Sequence, residues 1–226
     1  MTFLVDAAKY YKAETHQIAA WEALEAQLPV YILEDFKAAY RAAPAAPVAP
    51  KASLITTEIF SQLTGYSAEL FTQQEADDCN RLLEVTGFAE DLECTRMLMA
   101  NLLHETGNMR WMKELADGWA YEGRTDLGNT QPNDGPRFKG AGVLMLTGRY
   151  NYTRLSKALR DPRVMEGCDY VVRTYPFTSA ETWIRENDLL RIAKTKGFDD
   201  VCYRINGGWN GYEDRKAKYK ICREVL

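Results

Sequence analysis

Two glutamates carry the chemical interest of this chain. Glu105 and Glu114 lie nine residues apart in HETGNMRWMKEL, residues 104–115. On one continuous helix, nine residues turn the second side chain to the opposite face, so the pair would share no cleft. Gly107 and Asn108 break the apolar period, however. The break predicts a helix that ends just after Glu105 and a chain that folds back to set Glu114 across from it. A carboxyl at a helix C-terminus meets the negative end of the helix dipole. Partial burial, against Leu102, Met109 or Trp111, disposes such a group to keep its proton. A carboxylic acid facing a carboxylate is the pair a glycosidase needs as general acid and general base. On spacing alone, two solvated surface glutamates remain the plainer reading. Glu122, a little further along, is a rival for the base.

Other chemistries fail on their spacing. His104-Glu105 begins like a zinc motif, but HExxH needs a second histidine at position 108, which is Asn. The other histidine, His16, lies far away in the chain. No metal site and no cofactor is expected. Gly140, Gly142 and Gly148 do not make GxGxxG, and Gly135 to Gly140 is followed by Ala141 rather than the lysine of a phosphate loop. There is no GxSxG. The five cysteines form no CxxC pair, which predicts small buried thiols rather than a disulfide framework.

The elements that must position the two glutamates read as mostly helical. Thr72 and Glu75 make a capping box for a helix from Gln73 to Val85, closed by Gly87. Apolar spacing predicts a helix over Cys94 to Glu105 and further ones over Tyr150–Arg160, Ser179–Lys194 and Asp214–Leu226. Between them, 117–142 is glycine-rich and irregular, with room for at most a small hairpin. Upstream, three prolines in RAAPAAPVAPKAS (41–53) predict a semi-rigid linker. Residues 1–41 then form a short helical segment, 42–52 the linker, and 53–226 the main domain. Trp21 and its neighbours Tyr10, Tyr11 and His16 suit either a saccharide patch or packing on that domain.

Of 226 residues 46% are apolar and 27% charged, which suits a globular chain and is too rich in core formers for disorder. The longest apolar run, Ala141 to Leu146, is six residues, against the roughly 20 that span a bilayer, so no membrane insertion is expected. The net charge of −4 gives little attraction to a phosphate backbone, so nucleic acid is not an expected partner. The N-terminus lacks the basic and apolar regions of a secretory signal, which predicts synthesis in the cytoplasm.

Three blocks carry a resemblance. HETGNMRWMKEL (104–115), YEGRTDLGNTQPNDGPRFKGAGVLMLTGRYNY (121–152) and RINGGWNGYEDR (204–215) come in one order over about 110 residues. They resemble the HETGG-x6-E, YEGR…GRGxIQLTGRxNY and INGG blocks of glycoside hydrolase family 19, the chitinases and related phage and bacterial endolysins. The resemblance implies a mainly α, lysozyme-like domain with two helical lobes and a central cleft. It implies that Glu105 is the general acid and Glu114 the general base of an inverting hydrolysis of β-1,4 bonds to N-acetylhexosamine. In such an enzyme the two carboxyls stand roughly 6.5–9.5 Å apart. Thr147 matches the residue that helps hold the attacking water, and Tyr150, Asn151, Asn206 and Arg215 match residues that contact the sugar. Ala141 and Met145 depart from the family's arginine and glutamine.

The resemblance therefore implies a monomeric glycosidase with a polysaccharide partner, foremost a peptidoglycan-degrading phage endolysin. Without a signal peptide it would reach the wall only after release through a separately made pore. A chitinase acting on chitin is the alternative within the same chemistry. A wall-binding protein with a degenerate cleft is the alternative of another class. Trp183 reads as core, while Trp111, Trp119 and Trp209 suit sugar stacking or packing.

Overall fold

A computed structural model describes residues 54–226. The segment 1–41 and its linker, expected as an accessory module, lie outside the described residues. Helix α1 (Thr57–Thr64) starts where Thr56 Oγ1 accepts the amide of Ile59. Helix α2 (Gln73–Thr86) opens on the predicted Thr72/Glu75 capping box and stops at left-handed Gly87. Helix α3 (Leu92–Glu105) is capped by Asp91. Every residue of α3 from Met97 to Leu103 is buried, the mark of a helix in the middle of a core rather than on its surface.

The remaining helices wrap this centre. They are α4 (Asp134–Arg137), α5 (Arg149–Leu159), α6 (Cys168–Thr174), α7 (Glu181–Glu186), α8 (Leu189–Lys196), α9 (Phe198–Asn206) and α10 (Tyr212–Val225). Their apolar faces form two separate cores. The larger joins α1, α2 and α3 to Phe177, Ile184, Ile192, Val201 and Cys222. The smaller gathers Phe138, Tyr152, Leu155, Val164 and Val171. Each fully buried Leu, Ile or Phe contributes about 1.5–3 kcal/mol, so the larger core dominates stability. Two cores make two lobes, as expected. All five cysteines are buried and free, and no described helix is long and apolar enough to cross a membrane.

The stretch from 106 to 148 joins the lobes. Its only ladder contacts among the described residues are isolated antiparallel bridges, Lys113 with Ala141 and Ala141 with Leu146. One predicted helix is divided. Ser179–Lys194 breaks into a 3-10 turn, α7 and α8, because Asp188 takes a left-handed backbone (φ 53°) between two helical pieces. Asn187-Asp188 tolerates that conformation better than any apolar pair would. The apolar spacing is interrupted there as well, since Asn187 and Asp188 stand three and four residues after Ile184, where a continuous helix would carry apolar residues.

Candidate active site

Glu105 is the last residue of α3, where the broken period puts the helix end. The exit is built by Thr106, whose hydroxyl donates to Leu102 O (2.7 Å) and accepts from Met109 N (2.8 Å). Three left-handed residues follow in a row, Gly107, Asn108 and Met109. Such a run at non-glycine positions is strained, and it reverses the chain directly after the glutamate.

The neighbours of Glu105 differ from the expected ones. Its carboxylate accepts from Arg215 Nη2, and Arg215 Nη1 donates to Asn101 Oδ1 at 2.8 Å. It opens on a pocket of about 130 Å³ shared with Leu144, Met145, Trp183 and Ile205, not on Leu102, Met109 or Trp111. The next-door pair repeats the contact between the same two helices: His104 Nδ1 donates to Asp214 Oδ2 at 2.6 Å. Helices α3 and α10 are thus clasped twice, 104 to 214 and 105 to 215. Burial pushes the Asp214 carboxyl up, but hydrogen bonds from His104 and Lys218 outweigh it and hold the group below its ordinary range.

Glu114 sits on the irregular wall beyond the reversal. Its amide donates to Gly140 O at 2.9 Å, and Gly140 N returns a bond to Glu114 Oε2 at 2.8 Å. The other oxygen, Oε1, accepts from the hydroxyl of Tyr121 at 2.9 Å. A side chain at position 140 would begin 3.0 Å from Oε2 and 3.3 Å from the sulfur of Met145, so glycine gives these groups room that a larger residue would crowd. Met145 lies beside Glu114 there and beside Glu105 in the small pocket. Both glutamates therefore lie near one methionine, which itself has a left-handed backbone (φ 50°).

The wall continues from Met145. A neighbouring pocket of about 280 Å³ is lined by Thr147, Asn151, Arg154, Trp183 and Glu186 among others. Thr147 Oγ1 donates to Met145 O (2.8 Å), and Asn151 Nδ2 donates to Thr147 O (2.9 Å). Tyr150 is exposed at 59%, with Arg154 against its ring. Asn206 ends α9, next to Ile205 of the small pocket, and its side-chain Oδ1 accepts from Asn210 N at 3.2 Å.

One of the expectations needs correction. Arg215, expected to contact sugar, is 1% exposed and lies beneath Glu105. It reaches the reacting groups only through that carboxylate. Glu122, the rival base, has both oxygens engaged by backbone amides, Oε1 by Asn133 and Oε2 by Gly135, each at 2.8 Å. It braces the turn into α4, whereas Glu114 accepts one hydroxyl and one amide and lies near Met145. Trp183, read as core, packs on the larger core and also lines both pockets. Sequence reasoning misses Tyr121 and Asn101 altogether. Only Tyr121 carries any signal, as the aromatic of YEGR seven residues from Glu114.

No family model matches the chain. A curated protein of Haemophilus influenzae, a glycosyl hydrolase family 19 domain-containing protein, is 31% identical over 111 residues. The match covers 47% of this chain and 52% of that protein, so the chain spans about half the length of the curated relative. Chitinase C from Streptomyces griseus superposes with a TM-score of 0.56 at 17% identity, over 79% of this chain and 95% of that one. A mutant of chitinase C gives 0.57 over the same shares. The chain has the fold of the family 19 chitinases. Their lysozyme-like, mainly helical architecture is what the two cores and the central α3 build here.

Proposed function

We propose that this chain is an inverting glycoside hydrolase that cleaves β-1,4 bonds to N-acetylhexosamine in peptidoglycan, in the manner of an endolysin. One observation supports the reading: two carboxylates, held by independent hydrogen bonds from different elements, both lie near Met145, Glu105 in the small pocket and Glu114 beside Gly140. In this scheme Glu105 protonates the leaving oxygen while Glu114 takes a proton from water on the opposite face of the ring. The hydroxyl of Tyr121 and the amide of Gly140 each use one acceptor site of Glu114. A carboxylate has about four, so a water can still bind. Thr147 and Asn151 supply polar contacts along the adjoining pocket, and Trp183 an aromatic face for a pyranose. The YEGR block, which resembles endolysin-like members, favours peptidoglycan. The fold shared with chitinase C favours chitin as the second reading.

Incubation with purified peptidoglycan and, separately, with chitin oligomers decides between them, by analysis of newly released reducing ends. Peptidoglycan cleavage to the inverted anomer, seen early by proton NMR, is expected. Cleavage of chitin alone would move the protein to the second reading. Binding without new ends on either polymer would make it a wall-binding protein with a degenerate cleft, and a retained anomer would overturn the single-displacement scheme.

A further inference from the structure

We propose that Tyr121 is a positioning residue that sets the orientation of Glu114 through its hydroxyl. The inference rests on the reading of Glu114 as the base. Glu114 lies on irregular backbone, outside any helix, so no helical neighbours lock its rotamer. Its carboxylate plane is fixed instead at two points, Oε2 by Gly140 N and Oε1 by Tyr121 Oη. Removing the second point leaves the carboxylate free to turn about its last bond. Catalysis by a positioned base is sensitive to such a change, because small misplacements of a reacting group cost large factors in rate.

Tyr121 is well placed for this task. It ends the 3-10 turn Trp119–Tyr121, and its carbonyl accepts from Asn129 Nδ2 at 2.8 Å. Asn129 is fully buried, and its Oδ1 accepts from Arg149 N at 2.8 Å, at the start of α5. One buried amide therefore ties the holder of Glu114 to the helix that carries Asn151. The hydrogen bond to Glu114 also pushes the Tyr121 phenol above its ordinary range, with burial adding to it. The bond thus has a spectroscopic signature as well as a kinetic one.

Tyr121→Phe removes only the hydroxyl and keeps the ring. In the full chain it is expected to lower kcat roughly tenfold or more while KM stays within about twofold, with an unchanged melting temperature. With ¹³C at the tyrosine Cζ, the resonance lost in Tyr121→Phe should titrate at lower pH in Glu114→Gln than in the unmodified protein. An unchanged kcat in Tyr121→Phe, or a resonance whose titration ignores Glu114→Gln, overturns the proposal. So does a parallel loss of kcat and melting temperature, which marks a structural role. The two readings fail separately. A fully active Glu114→Gln removes the base assignment itself, whereas an inactive Glu114→Gln beside a fully active Tyr121→Phe removes only the positioning role.

Discussion

Arg215 changes what Glu105 needs. Its guanidinium bridges two acceptors on α3, Asn101 and Glu105, separated by one helical turn. A planar fork can do this, while the ammonium of lysine is a point charge on a flexible stem. On the proposed reading of Glu105 as the acid, Arg215→Lys is therefore expected to reduce turnover at least about tenfold while the protein still folds, since a loose acid misses its near-attack geometry. Turnover near the unmodified rate would show that Glu105 needs no fork. Glu105→Gln and Glu114→Gln should each lose all but a few per cent of hydrolysis with intact circular dichroism. Glu122→Gln should behave differently. Its amide nitrogen would face a backbone N–H, so about 1–2 kcal/mol of stability is lost and most of the turnover kept. A loss of turnover in Glu122→Gln as severe as in Glu114→Gln would return the base role to Glu122. The sequence can name the two glutamates because a residue type and a broken period announce them. It cannot name Asn101 or Gly140 as their holders, because those contacts join residues 114 and 26 positions apart with no local pattern between.

The irregular wall is as firmly built as the helices, by buried polar bonds instead of apolar faces. Asp134, with its side chain 1% exposed, takes a bidentate grip from Arg149 and also accepts from Gln131 N. Burial works against the Asp134 charge, but these bonds win and hold its carboxyl below the ordinary range. A carboxyl with a lowered folded value stabilises the fold above its unfolded value, about 3.9, and that stability drains away as pH falls through the folded value. The wall should therefore loosen in acid below about pH 4, and activity should not return until the pH rises again. Asp134→Asn leaves Arg149 without its charge partner and should cost about 3 kcal/mol, a melting shift on the order of 10 °C by calorimetry. A shift under about 2 °C would show that the pair contributes little. Caps such as Thr72/Glu75 are legible in the sequence because capping is local. The wall is legible there only as irregular, because the bonds that hold it run between distant loops.

At the scale of the molecule, the two lobes meet across the pocket that holds Thr147 and Asn151. Arg154 on α5 and Glu186 on α7 pair there, from the smaller lobe to the larger. Both side chains are substantially exposed, so the pair is worth about 0–1 kcal/mol and weakens with salt. It tunes how the lobes approach but does not hold them together. We further propose that residues 1–41 serve as a wall-binding module tethered by the proline-rich linker, which raises the local concentration of cleft and polymer. A chain beginning at Ser53 should then keep near-normal turnover on soluble oligosaccharides and clear whole walls more slowly. If it instead melts much earlier and fails on both substrates, the segment is part of the domain's own core.

The double clasp between α3 and α10 has a consequence for how the protein fails. Both of its contacts close loops of 110 residues, whereas the caps and most helical bonds are local. Closing loops of such length has an entropic cost that a local cap does not meet, and both contacts sit near the N-terminal end of α10, helix ends being where local opening is cheapest. A first turn of α10 that frays, with Cys222 and the rest of the helix still packed on the larger core, frees Arg215 and with it Glu105. On warming, hydrolysis should therefore disappear several degrees before the helical signal does. The site would be disarmed by heat well before the protein is unfolded, and would rearm on cooling without passing through the unfolded chain.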